Sequence, residues 1–281
     1  MKKYNVTILL LFVLFLFFIV HAFAFSESGA PQKIVSLVPA VTEELFLLGV
    51  EDRVIGVTTY CQRPAEAQEK ERVGTVVEIN VEKILELSPD VVIASPLTDQ
   101  RQLAKLMGLG IRVEVFEAVK DFRGLCERFL KISRIVGKEE KAMKIVSKAQ
   151  RDLEDQQKAM ERLPVPRVFV QIGANPLFTS GRDTIIDEMI KWAGGENVAY
   201  NAKGWSIYSR EEVIKNNPDI ILIVTMGTVR AKERETWLRY DVINAVKNKR
   251  IYVVDTYRVC SPTPISFVEM VKELVRYFYG E

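Results

Sequence analysis

Two glutamates, Glu82 and Glu211, lie 129 positions apart, and each opens a copy of one plan: "NVEKILELSPD" at residues 80–90 and "SREEVIKNNPD" at residues 209–219. In both copies a capping residue is followed two positions later by the glutamate, then by an apolar pair, Pro-Asp and an aliphatic run. Asn80 and Ser209 suit the N-cap of a helix, and a first-turn carboxylate is favoured by the helix dipole, so local helix physics is sufficient for the glutamates.

Other reactive side chains are few. The only histidine, His21, falls in an apolar leader, which removes histidine-based metal sites and Ser-His or Cys-His nucleophile pairs from the rest of the chain. Ser180 in "FTSGR" therefore has no imidazole to activate it. Gly173, Gly181 and Gly194-Gly195 do not form a G-x-G-x-x-G turn, and there is no P-loop lysine pattern, so nucleotide-dependent catalysis has no sequence support. Cys126 has the helical phase of a buried small hydrophobe, while spacing leaves a Cys61–Cys260 bridge open.

Residues 1–24 carry Lys2 and Lys3, an apolar run from Ile8 to Val20 and a small-x-small site at Ala22-Phe23-Ala24, the pattern of a cleavable secretory signal. The expected mature chain begins near Phe25 and works in the periplasm or elsewhere outside the cytoplasm; an uncleaved anchor is the alternative. The chain has 39 basic and 37 acidic residues; without the two leader lysines the signs balance, which argues against nucleic acid as a partner.

The elements that must position these residues follow from hydrophobic patterning. "KIVSLV", "RVIGVT", "DVVIAS" and "RVEVFE" precede residue 118, and "PRVFVQIG", "DIILIVT" and "RIYVVD" follow residue 165, each separated by helix-length amphipathic stretches. Such alternation predicts α/β architecture: two Rossmann-like lobes with mainly parallel sheets. Residues 138–163 contain neither Gly nor Pro and place Ala142, Ile145, Val146, Ala149, Leu153 and Met160 at helical spacing, which predicts one rigid helix. The expected organisation is a signal at 1–24, an N-terminal lobe at 25–137, the connecting helix at 138–163 and a C-terminal lobe at 164–281.

Across the whole expected mature chain, "LVPAVTEELFLLG" at 37–49, "GVTTYCQRP" at 56–64, "RVFVQIGANPLFTSGRDTIIDEMIKWAGGENV" at 167–198 and "GWSIYSREEVI" at 204–214 together resemble the helical-backbone periplasmic substrate-binding proteins. These serve ABC importers of cobalamin, iron-siderophores and haem, and the similarity is greatest to the cobalamin-binding branch. The resemblance implies a non-enzymatic monomer that holds ligand between the lobes and has no resident cofactor or metal. It further implies docking of Glu82 and Glu211 on the two membrane subunits of a permease driven by a cytoplasmic ATPase. Residue by residue it assigns Pro39, Ala40, Tyr60, Phe178, Trp205 and Asp255 to the ligand; core packing is the alternative for Tyr60, Phe178 and Trp205. It implies a corrinoid as ligand, with a ferric siderophore or haem as the alternative and Tyr60, Tyr208 or Tyr257 as the haem-ligating candidates. The chain departs from the cobalamin-binding pattern where Val76 and Ser95 replace tryptophans and where Val259, beside Arg258, replaces an arginine.

Overall fold

A computed structural model describes residues 29–224 and 229–280; the signal segment and the expected cleavage site lie outside the described residues. Five parallel strands, β1 (Ile34–Ser36), β2 (Val54–Val57), β3 (Glu71–Arg72), β4 (Val91–Ala94) and β5 (Val113–Val115), form a first sheet in the order β3-β2-β1-β4-β5. Six more, β6 (Arg167–Ala174), β7 (Leu177–Ser180), β8 (Glu196–Asn197), β9 (Trp205–Ile207), β10 (Ile220–Ile223) and β11 (Ile251–Val253), form a second. There β11, β10, β6 and β8 run parallel, while β7 and β9 add antiparallel to the other edge. All seven aliphatic runs of the sequence became strands. Those at the sheet centres, such as "VVIA" and "IILI", are buried along their full length, as strands covered on both faces must be.

The helices are α1 (Pro39–Leu47), α2 (Val81–Leu87), α3 (Gln100–Gly108), α4 (Phe122–Val136), α5 (Glu139–Met160), α6 (Ile185–Trp192), α7 (Arg210–Asn216), α8 (Val229–Trp237), α9 (Asn244–Lys247), α10 (Thr256–Cys260) and α11 (Pro264–Tyr279). The long helix is a residue shorter at its start and three shorter at its end than the charge pattern predicts, and at 22 residues it spans about 33 Å. It is not the only bridge. Along α4, Phe122, Leu125 and Cys126 join the core of the second sheet, whereas Phe129, Ile132 and Val136 join that of the first. In α5 Ala142 belongs to the first core, and Ala149, Leu153 and Met160 to the second, where they meet Phe267, Val271 and Leu274 of α11. The sheets are thus fused through two helices with continuous apolar cores.

The two copies of the repeated plan occupy equivalent places. Asn80 accepts the Lys83 amide at 3.0 Å, and Ser209 forms a reciprocal capping box with Glu212. Both helices end on a left-handed residue, Ser88 at φ 50° and Asn217 at φ 42°. The following aspartates then pin the first strand of each sheet: Asp90 Oδ2 accepts the Lys33 amide at 2.9 Å, and Asp219 Oδ2 accepts the Arg167 amide at 3.0 Å. The recurrence of Pro-Asp has this structural cause.

All three cysteines are free. Cys61 is buried beneath the first sheet, where Thr42 Oγ1 donates to its sulfur at 3.1 Å, while Cys260 is exposed on α10; the Cys61–Cys260 bridge left open by the spacing is not formed. Cys126 is buried in helical phase as expected, and burial pushes its thiol up to about 12.

Candidate functional site

Open α/β sheets hold ligands at the loops beyond the carboxyl ends of their parallel strands, and the first lobe exposes Tyr60 and Leu97 there. Tyr60 follows β2 and is 49% exposed, and its hydroxyl has no hydrogen-bond partner among the described residues. Beyond β4, Leu97 is exposed, and Thr98 Oγ1 donates to the Val76 carbonyl at 2.9 Å, tying this loop to the one that exposes Val77. Val76 and Ser95, the positions without tryptophan, therefore lie in two adjoined loops. Ser95 Oγ is buried there with no protein partner.

In the second lobe, β7 and β9 pair Phe178 with Ile207 and Ser180 with Trp205. Opposed residues in an antiparallel pair share a face. Phe178, half-buried, thus lies beside Ile207 and Trp205, which are 68% and 53% exposed. Ile207 was not singled out from the sequence, although the alternation Trp-Ser-Ile carries its signal. Pro39 is half-buried at the first position of α1, but Ala40 is 4% exposed and packs inward. The expectation that the Ala40 side chain faces ligand is corrected on that ground: only its neighbour remains at the surface.

Asp255 is the most changed assignment. Its Oδ1 caps α10, accepting the Tyr257 amide at 2.8 Å and the Arg258 amide at 3.1 Å, and its Oδ2 is paired with Arg63 of the other lobe. Burial alone would raise this carboxyl, yet the Arg258 amide, the Arg63 charge and the Tyr257 amide hold it below its ordinary value. Tyr257 reaches the same turn. Its hydroxyl accepts the Gln62 amide at 2.9 Å and donates to the Tyr60 carbonyl, and the Arg63 guanidinium lies 5.3 Å from its ring centroid. Burial pushes the Tyr257 phenol up to about 12, so it remains a neutral donor. Close enough to feel the same guanidinium, the Glu43 carboxyl is raised by burial, opposed by the Arg63 charge. The sequence named Tyr257 only as a metal-ligating option and Arg63 only within a motif.

Glu82 and Glu211 both take the second position of their helices and are exposed. Each helix runs back against its sheet before the next parallel strand, which puts its N-terminus at the end where Tyr60 and Asp255 lie. Glu82 Oε1 is 3.3 Å from Lys105, and its own backbone amide and that lysine hold its carboxyl below the ordinary range. Arg210, next to Glu211, pairs at 3.1 Å with the buried Glu233, which also accepts from Gln171 of β6 at 2.7 Å. Among the described residues no group of three or more His, Cys, Asp or Glu is placed to hold a metal ion.

A family profile described as periplasmic binding protein matches residues 34–257. The chain belongs to that family. An uncharacterized ABC transporter substrate-binding lipoprotein of Bacillus subtilis is 35% identical over 258 residues, covering 89% of this chain and 81% of the relative. The vitamin B12-binding protein of Salmonella typhimurium is 31% identical over 210 residues, covering 74% and 78%. Among solved structures, the periplasmic vitamin B12-binding protein of Vibrio cholerae superposes with a TM-score of 0.75 at 26% identity, over 88% of this chain and 96% of that one. The periplasmic haem-binding protein of the same organism gives 0.81 at 23% identity, over 88% and 99%, a likeness of fold alone. The protein is an extracytoplasmic ABC-type substrate-binding protein of this family, with a membrane permease and its ATPase as the implied partner. No helix among the described residues is long and apolar enough to cross a membrane.

Proposed function

We infer that the protein is a non-enzymatic, monomeric receptor that captures a corrinoid between its lobes and delivers it to an ABC importer, with Glu82 and Glu211 as contacts for the two membrane subunits. Residues 1–24 act as the cleaved export signal, and the lobes are residues 25–137 and 164–281 on either side of the connecting helix at 138–163. Pro39, Tyr60, Phe178, Trp205 and Ile207 supply the walls, and Asp255 contributes as part of a neutral pair with Arg63.

The observation that carries the ligand class is the pairing of wide apolar walls with compensated charge. Exposed Tyr60, Leu97, Trp205 and Ile207 suit a large ring system with polar edges. The cations near the inter-lobe seam are already engaged, Arg63 by Asp255 and Arg258 by Glu273 at 3.1 Å. Among the described residues an anionic ferric siderophore would find few uncommitted positive groups there. Relatives about 30% identical that bear the name vitamin B12-binding protein support the same class.

Haem is the second reading, and one observation favours it. Of the three tyrosines available as axial ligands, the Tyr257 hydroxyl is spent on the turn at residues 60–62 and the Tyr208 hydroxyl accepts from Asn216 at 2.7 Å. Tyr60 alone presents a free, exposed phenol, so haem ligation would fall on it. Spectrophotometric titration of the purified mature protein with cyanocobalamin, haemin and a ferric siderophore separates the readings. Micromolar or tighter binding of cyanocobalamin is expected; binding of either other ligand without it overturns the corrinoid assignment.

A further inference from the structure

Three side chains and a backbone turn from opposite lobes interlock where two of the proposed ligand residues meet. The first-lobe turn presents the Tyr60 carbonyl, the Gln62 amide and the Arg63 guanidinium; the second lobe presents the Asp255 carboxylate and the Tyr257 phenol. The partners are 192 to 197 residues apart in sequence. Each side offers what the other lacks. Tyr257 hydroxyl inserts between a carbonyl it donates to and an amide it accepts from, while Arg63 covers the Tyr257 ring and neutralises Asp255.

Geometry fixes what this does to the site. The Tyr60 backbone is held by Tyr257, so the exposed phenol is presented from an anchored position rather than from a free loop. Asp255 is fixed twice, by capping α10 and by Arg63, so its carboxylate is oriented and its charge compensated. We propose that Arg63 and Tyr257 are positioning residues of the ligand site: a cross-lobe clasp that sets Tyr60 and Asp255 at a fixed spacing and makes the cleft floor neutral. Neither side chain needs to touch ligand for this role. Pre-organisation of this kind raises affinity by removing ordering cost from the binding step.

The affinity part of the test rests on the cleft assignment above, whereas its exchange part does not. Tyr257→Phe deletes one hydroxyl and keeps the ring that Arg63 covers. Hydrogen exchange of the free protein, read over residues 58–64, should quicken on this change, about tenfold for the Gln62 amide. Affinity for whichever of cyanocobalamin, haemin or ferric siderophore the wild type binds should fall by roughly three- to tenfold, with the melting temperature nearly unchanged. Arg63→Gln should cause a loss of similar size, and Arg63→Lys should restore part of it by returning the charge without the planar fork. Unchanged exchange refutes the clasp. Faster exchange with unchanged affinity refutes its positioning role, as does an affinity loss that only tracks melting temperature. If Tyr257→Phe fails to fold, Arg63→Gln and Arg63→Lys decide by the same two readouts. Failure of cyanocobalamin to bind the wild type counts against the corrinoid reading and leaves the exchange result to judge the clasp.

Discussion

Replacing Arg128 by methionine should cost several kcal/mol of stability at neutral pH and much less in mild acid. Arg128 on α4 has Nη2 at 2.7 Å from Glu44 Oε1 on α1 and 3.0 Å from the Pro262 carbonyl just before α11. The Glu44 side chain is 0% exposed and that of Arg128 is 9% exposed. Methionine keeps the stem volume but leaves a buried carboxylate without its cation and a carbonyl without its donor. Breaking a buried pair in this way costs about 3–5 kcal/mol, and the lost bond to Pro262 adds about 1. At roughly 2–4 °C per kcal/mol for a chain of this size, the midpoint should drop by about 8–24 °C.

The pH dependence identifies the cause. Burial already holds the Glu44 carboxyl above its ordinary value, against the charge and hydrogen bond of Arg128. A group whose folded pKa is raised contributes stability that is fully present below the unfolded value and lost as pH rises through the folded one. Removing Arg128 raises that folded value further, so the deficit of the variant should open as pH rises through the wild-type folded value, above the ordinary carboxylate range, and nearly close below it, leaving the Pro262 bond, about 1 kcal/mol. Adding Glu44→Gln should recover most of the neutral-pH loss. Thermal unfolding followed by circular dichroism across that range is the assay. An equal deficit at both ends of the range would show that the loss is one of packing and refute the electrostatic account.

Glu82→Ala combined with Glu211→Ala should leave ligand affinity and the melting temperature almost unchanged, because both side chains are exposed and the Glu82–Lys105 pair lies in solvent. Uptake and binding to the permease should fall roughly tenfold or more; loss of ligand binding by a folded double variant would place the glutamates in the cleft instead. Asp90→Ala and Asp219→Ala should each cost about 1–3 kcal/mol and add when combined, since they pin separate sheets; strong coupling in a denaturation cycle would contradict this. The Lys33 and Gln32 amides hold the Asp90 carboxyl below its ordinary value, so its contribution is present above the unfolded carboxylate range and lost as pH falls through the folded value; the Asp90→Ala deficit should shrink in acid. Gly181→Ala would drive a methyl into the backbone carbonyl of Ala202, forcing apart the segments that flank β7 and β9. About 2 kcal/mol or more of stability should go, together with ligand affinity, and normal unfolding and titration curves would refute that register.

Seven of the parallel strands were legible as short aliphatic runs, whereas β3 and β8, "ER" and "EN", carry no such signal; α5 was legible because its charged residues place apolar positions at helical spacing without Gly or Pro. β7 and β9 were not, since "LFTS" is half polar although mostly buried, and "WSI" is too short and too exposed for alternation to stand out from a loop. In the site, the positions of Tyr60, Phe178 and Trp205 could be matched to a family pattern because they lie in motifs. What Asp255 does could be matched only in part. Its capping bonds are local and follow from an aspartate two residues before Tyr257, but its ion-pair partner is 192 residues away, a relation that spacing does not encode. Ala40 shows the same limit at smaller scale, since which side of a helix start faces inward is fixed by the packing of α1 and not by its position after a strand.

The repeated stretch has separate causes at each of its residues, and this bears on how the two proposed docking points come to be matched. The caps and first-turn glutamates stabilise helix starts, the left-handed residues end those helices, and Asp90 and Asp219 fasten the following strands to β1 and β6. None of these needs a partner protein. Their common consequence is that Glu82 and Glu211 stand at equivalent ends of two sheets. Those sheets are fused through α4 and α5, whose side chains belong to both cores, so a wide hinge motion would have to tear Phe122, Leu125 and Leu153 from Phe267, Val271 and Leu274. Below Glu211, the Arg210–Glu233–Gln171 chain of bonds ties the helix start to the central strand β6. A transporter that grips both glutamates would therefore meet a nearly fixed span in the free and loaded protein. Ligand loading would have to be read from the loops between the two contacts, where the Arg63–Tyr257 clasp lies.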